Sequence, residues 1–390
     1  MAERRIYLDH AATTPLDDRV FAAMAPYFSE KFGNPSSIHV WGQEAEAAIE
    51  GARRTVAEIL GSYSQEILFT SGGSESDNLA LRGAALAERH ARGATRILTT
   101  PVEHPAVLKT AEDLAARHGF HLDLLPVDGY GRVDPGDLVA RITPETAIVS
   151  VIYANNEIGT LNPIRELGAI CRERGVPFHT DAVQAASQLP IVVDSLNVDL
   201  MSLGAHKFYG PKGVGALYVR NGTGLASTQT GGSQERGFRA GTHNVPLIIG
   251  LAEALRITHE ERASQAARFR ILRERIIAGV LERVPESRLT GHPRDRLPNH
   301  ASFVFHGVEA NSLLAALDIA GYGCSSGSAC KTGAPEPSDI LAALGLGGDW
   351  ALGSLRVTVG RSNTRDEIEA FLDALPPIVR RVRSAFPVRT

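Results

Sequence analysis

Apolar residues recur along this chain in two rhythms, and their alternation predicts the fold. Helical spacing marks Leu16 to Glu30 and Trp41 to Leu60, on either side of a turn-rich loop, FGNPSSI, at 32–38. Short apolar runs of strand length follow at Ile67 to Thr70, Arg96 to Thr100, Ala147 to Tyr153, Pro177 to Thr180, Leu200 to Leu203 and Ala216 to Val219. Between them the helical rhythm returns over Asp77 to His90, Glu103 to His118 and Pro163 to Arg174. Apolar strands alternating with helices imply an α/β fold: a mostly parallel sheet covered by helices on both faces. In such sheets ligands bind where loops leave the carboxyl ends of the strands.

The pattern changes after about Thr242. A long helical stretch, Pro246 to Arg283, precedes strand Ser302 to His306, helix Ala310 to Ala320, strand Leu355 to Val359 and helix Arg365 to Arg383, which reads as a smaller α+β C-terminal domain. At 390 residues the chain has length for two domains of roughly 100 to 200 residues. Its 43% apolar and 22% charged residues are those of an ordinary globular enzyme, and a net charge of -4 offers no electrostatic reason to expect nucleic acid or an anionic membrane. No apolar run has signal-peptide or membrane-span length, so the expected location is cytoplasmic. Cys171, Cys324 and Cys330 are too few and too scattered for a disulfide framework or a structural zinc site. Arg380, Arg381, Arg383 and Arg389 read as the solvated face of the last helix.

Chemistry concentrates in SLGAHKFYGPKGVG, Ser202 to Gly215, where Lys207 sits among small residues, glycines and an aromatic. Burial lowers a lysine pKa by up to about 3 to 5 units, and a neutral amine forms Schiff bases with aldehydes such as that of pyridoxal 5'-phosphate (PLP). Other strand ends supply matching groups. SGGSESDN, Ser71 to Asn78, opens a helix whose free N–H groups suit a phosphate, although Ser74 and Asp77 also have the spacing of a capping box. His104 can stack on a flat ring and carry protons. Asp181 in FHTDAVQ can keep a pyridine nitrogen protonated, Gln184 can donate to the ring oxygen, and Asn155 and Asn156 bring amides nearby. A rival metal site of His104, His179, Asp181 and His206 has no known ligand spacing and a lysine beside it that repels a cation. In the smaller domain, Cys330 lies in a loop of Ser, Gly, Ala and Thr beside Lys331, which favours its thiolate, while Cys171 and Cys324 have the surroundings of inert thiols. Arg356 can bind a carboxylate in bidentate fashion.

In this order, FGNPSS, FTSGGSESDNLA, NNEIG, HTDAVQ, AHKFYGPKG, ERGFRAGT and SSGSAC resemble the cysteine desulfurases of the NifS/IscS type, within the class V aminotransferases of PLP fold type I. The resemblance runs from Tyr7 to Arg361 and implies a large PLP-binding domain at 15–258, with 1–14 and 259–390 forming the small domain. It implies that Lys207 holds the cofactor aldehyde, Asp181 faces the pyridine nitrogen and His104 stacks on the ring. Gln184 and Asn156 would contact the ring's oxygen side, with Gly73, Ser74 and His206 at the phosphate and Asn34 and Arg356 at the substrate carboxylate. Thr242 would reach the phosphate in the neighbouring subunit, which makes the enzyme a homodimer. The implied reaction takes sulfur from L-cysteine, leaves L-alanine and a persulfide on Cys330, and passes that sulfur to an iron-sulfur scaffold or a thiolation enzyme. Selenocysteine lyase and class V aminotransferase activities are the alternatives. Gly204 stands where many relatives have a serine, and the chain ends at Thr390, short of the C-terminal tail with which housekeeping members engage their scaffold.

Overall fold

The computed structural model describes residues 5–327 and 338–385, so Cys330, Lys331 and Arg389 lie outside the described residues. Twelve strands are described: β1 Ile6–Tyr7, β2 Ile67–Thr70, β3 Arg96–Thr99, β4 His121–Leu124, β5 Thr146–Ser150, β6 Phe178–Asp181, β7 Leu200–Gly204, β8 Gly215–Val219, β9 Ser287–Leu289, β10 His300–Phe305, β11 Tyr322–Gly323 and β12 Ser354–Thr358. The main sheet has the order β2-β8-β7-β6-β5-β3-β4. From β7 to β4 every pairing is parallel, and β8 runs antiparallel to both β2 and β7. Strands β5, β6 and β7 are buried along their whole length, so none of them alternates between buried and exposed positions. At the sheet edge β4, sequence HLDL, buries none of its residues fully.

The small domain has an antiparallel sheet of order β12-β10-β9 and a parallel pair, β1-β11. Helix Val245–Arg283 connects the two domains: Val245, Ile248, Leu251 and Leu255 pack into the large-domain core, and Phe269, Leu272, Ile276 and Val280 pack into the small-domain core. No helix among the described residues is long and apolar enough to cross a membrane.

Between the domains runs a strap, residues 6–15. It pairs with β11 through β1, bridges to β12 at Asp9–Thr358, and donates the Ala11 N–H to Thr358 Oγ1, 2.9 Å away. Farther on, Tyr209 N donates to Thr14 Oγ1 at 2.8 Å. Gly360 leaves room for the strap, because a Cβ there would lie 2.2 Å from His10 Cε1 and 2.3 Å from Nδ1 of the same ring. Gly360→Ala is therefore expected to destabilise the fold by about 1–3 kcal/mol through overpacking, and to displace the strap. A thermal melt of the variant equal to that of the parent would contradict this.

Candidate active site

The carboxyl ends of β5, β6 and β7, the start of helix Gly73–Arg92, the strap and Arg356 of β12 surround a cavity of about 530 Å³. Lys207 follows β7 in a short 3-10 turn, and Tyr209, in a left-handed conformation at φ 65°, redirects the chain after it. Lys207 Nζ donates to Ala11 O at 2.6 Å and to Ala12 O at 2.7 Å. Burial, helped by the positive charge of Arg356, lowers its pKa to about 8 against the pull of Asp181 and Asp9. Near neutral pH an appreciable fraction of this amine is unprotonated and able to attack a carbonyl.

His104 has two tasks. Its Nδ1 accepts the Ala106 N–H at 3.1 Å, capping helix Pro105–His118, and the neutral ring then carries its proton on Nε2 while lining the cavity. Burial lowers its pKa, with a smaller contribution from Lys207, against the pull of Asp181. Asp181 closes β6, and its Oδ1 accepts the Val183 N–H at 2.9 Å. Burial raises the carboxyl's pKa, while His104, the Val183 amide and Lys207 oppose the rise. Gln184 donates to Ala11 O at 2.8 Å, so that carbonyl serves both the glutamine and the lysine. His206 is neutral at physiological pH, since burial, Lys207 and Lys212 lower its pKa to about 4, and its Nδ1 lies 3.2 Å from Thr13 Oγ1.

Arg356 reaches the cavity from the small domain. Its Nη2 bonds Asp9 Oδ1 at 2.8 Å and its Nη1 bonds Asn156 O at 2.9 Å. Buried Arg356 Nε and Asn156 Oδ1 have no protein partner, which leaves a donor and an acceptor in the cavity wall for a bound molecule. Gly72, Gly73 and Ser74 open helix Gly73–Arg92 at the other end, where free amides favour an anion. A Cβ on Gly204 would lie 3.4 Å from Gly73 N, so a side chain at 204 would face this same helix start.

Some expectations need correction. The N-cap of this helix is Gly72, not Ser74, and Asp77 is no capping residue: it is buried and lines the cavity, with one oxygen lacking a partner. Asn155 is fully buried away from the cavity lining, where its Oδ1 accepts the Glu157 and Ile158 amides at 2.8 and 2.9 Å. Asn34 is exposed and lies outside the cavity lining of this chain, and its Oδ1 accepts the Ser36 amide. Lys212, the second lysine in the same string as Lys207, also lines the cavity. In the rival metal set, His179 lies between Ser150 Oγ at 2.8 Å and Ser202 Oγ at 3.0 Å, whereas the acid and imidazole groups that do converge, within 4.8 Å, are Asp77, His104 and Asp181. Cys171 is buried, Cys324 is partly so, and burial raises both thiol pKa values.

Ahead of Thr242, Glu235 anchors the chain. It takes Arg53 Nη1 and Nη2 at 2.7 and 2.9 Å, His243 Nε2 at 2.7 Å and the Phe69 amide at 3.1 Å. Glu235 and Arg236 hold left-handed conformations, at φ 46° and 56°, around this contact.

Residues 6–371 match the family model described as Aminotransferase class-V. A relative named cysteine desulfurase IscS, from Dictyoglomus turgidum, is 46% identical over 99% of this chain and 98% of its own. One of the same name from Methanosarcina thermophila is 45% identical over 99% and 94%. Among solved structures, a NifS-like protein superposes with a TM-score of 0.90 at 36% identity, covering 97% of this chain and all of its own. A structure titled SspA in complex with cysteine gives 0.79 at 34% identity, covering 90% and 98%.

Proposed function

The chain belongs to the aminotransferase class-V family and is a cysteine desulfurase of the NifS/IscS type, and we propose that it works with PLP held on Lys207 and a persulfide carried on Cys330. The observation that carries the cofactor reading is the desolvated Lys207 amine in one cavity with Asp181, His104 and an open helix start. These residues fit PLP: the helix start, Ser74 and His206 would hold its phosphate, Asp181 its pyridine nitrogen, His104 its ring face, and Gln184 and Asn156 its oxygen side. When bound, PLP supplies an electron sink that acidifies the substrate Cα–H.

The protein's own groups do the rest. Arg356 holds the carboxylate of L-cysteine by exchanging or sharing Asp9. The Lys207 amine, once free and neutral, takes the Cα proton, and the neutral His104 ring is placed to pass protons from Nε2. The Cys330 thiolate attacks the substrate sulfur, forming an S–S bond as the Cβ–S bond breaks. The Cβ carbon keeps the electron pair of that broken bond and takes a proton, and Lys207 returns the proton to Cα, giving L-alanine.

The enzyme acts as a homodimer in this proposal, with Thr242 offered to the neighbouring site, in keeping with its exposure and with the exposed Phe21, Phe28, Phe32, Ile38 and Trp41. The acceptor is a protein that takes persulfide sulfur for iron-sulfur assembly or thiolation, and the enzyme works in the cytoplasm. Cys330→Ala tests the thiol's role: the variant should keep cofactor absorbance and lose sulfide release. Release at the parent rate would refute the assignment.

A further inference from the structure

Asp77 is a buried acid for which the mechanism above has no use. Its neighbours explain how it is held. Asp77 lines the cavity with Asp181, and carboxylate oxygens of the two lie within 4.8 Å of each other. Among the charged groups acting on it, Asp181 and Glu103 are both acids, and no cation pairs with it. The ring of His179 lies 3.7 Å from Asp77 Oδ1, too far for a hydrogen bond, and that oxygen has no partner. Asp77 instead bonds Ser202, which favours the ionised carboxyl and opposes burial and the two neighbouring acids; Ser202 Oγ meets His179 Nε2 at 3.0 Å, and His179 Nδ1 meets Ser150 Oγ at 2.8 Å. The chain accommodates a proton on Asp77: the carboxyl O–H then donates to Ser202, Ser202 to Nε2 of a neutral His179, and Nδ1–H to Ser150. His179 is neutral because burial lowers its pKa to about 3. Two adjacent buried carboxyls do not both ionise. Of the groups lining this cavity, Lys207 and His104 bear on Asp181, Arg356 bears on Lys207, Lys212 bears on His206, and none of them bears on Asp77.

We propose that Asp77 is a positioning residue: it stays neutral within the Ser202–His179–Ser150 chain, so that the pair's single negative charge rests on Asp181, the group assigned to the pyridine nitrogen. The proposal rests on the reading of the cavity as a PLP site. Asp77 never touches the reacting atoms. It acts by denying Asp181 a competing charge and by fixing the strands that carry it.

Infrared difference spectra of the full-length holoenzyme and the apoprotein at neutral pH test this directly. A protonated-carboxyl C=O band should be present and should lose intensity in Asp77→Asn. Glu103, whose pKa burial raises to about 8, contributes a second such band, which Glu103→Gln identifies separately. Asn is neutral in the same shape, so the pH titration of the bound cofactor's absorption should move by less than about half a unit in Asp77→Asn. In Asp77→Ala, which breaks the chain, that midpoint should move further while Asn at 77 restores it. An unchanged infrared band in Asp77→Asn, or a midpoint moved by about one unit or more, would overturn the proposal. A protein that takes up no cofactor would sink the PLP reading alone, because the apoprotein band still reports the charge state of Asp77.

Discussion

Lys207→Ala should lower sulfide release from L-cysteine by about 10³-fold or more while leaving the melting temperature close to that of the parent. The two effects separate because the amine is a reactant and not a structural tie. Its partners are backbone carbonyls, and Ala11 O keeps the Gln184 amide when the lysine is gone. Burial already disfavours the charged form, so removing the amine relieves a desolvation penalty as it deletes two hydrogen bonds. The absorbance of protein mixed with PLP and then desalted reads the covalent hold, and a sulfide assay reads turnover. Turnover within tenfold of the parent would remove Lys207 from the mechanism. Lys207→Arg should be no better, since a guanidinium retains the charge without a neutral nucleophilic form.

The largest loss of stability is expected at Glu235. This carboxylate is almost fully buried and is held by the Arg53 guanidinium, His243 and the Phe69 amide, which bring its pKa from 4.5 to about 2 in spite of burial. That depression corresponds to about 3 kcal/mol of stability at neutral pH. Because the folded-state value is the lower one, this stability is present above pH 4.5 and fades as the pH falls towards 2. Glu235→Ala leaves buried Arg53 with only the partly exposed Glu50 as an acid partner and should cost about 3–5 kcal/mol in denaturant unfolding at neutral pH, with a smaller gap from the parent under acid conditions. Glu235→Gln keeps the shape and loses the charge, so most of the loss should remain. Equal midpoints for parent and Glu235→Gln at neutral pH would show that the ion pair contributes nothing. The left-handed turn at Glu235 and Arg236 is held by the same contacts, and Thr242 lies six residues beyond that turn's second residue.

Much of the site could be read from the sequence because its parts obey local rules. Lys207, Asp181 and His104 each stand just past a run of apolar residues buried on both faces, and the sheet brings these ends together. Helix Gly73–Arg92 was expected from Asp77 and begins four residues sooner, because glycines hide a helix start that lacks a side-chain cap. Asp77 was read as a cap for the same reason. Its burial depends on Ser202 and Asp181, residues more than a hundred positions away. Neighbours Asn155 and Asn156 are alike in sequence, yet one closes a turn and the other faces the cavity. Edge strand β4 was missed because a strand with one partner and solvent on its far side needs few apolar residues. The strap was recognisable only as a motif, YLDHAATTP, since both carbonyls that hold the lysine belong to the backbone and carry no signal in side-chain type.

That strap has a consequence for how the protein is made. Ala11 is bonded from both sides: Gln184 of the large domain holds its carbonyl, and Thr358, 347 residues later in the polymer, holds its amide. The large-domain core can assemble during synthesis, while the strap's second anchorage has to wait until β12 has arrived. A nascent chain stalled before β12 would carry an almost finished main sheet with its cavity still lacking Arg356.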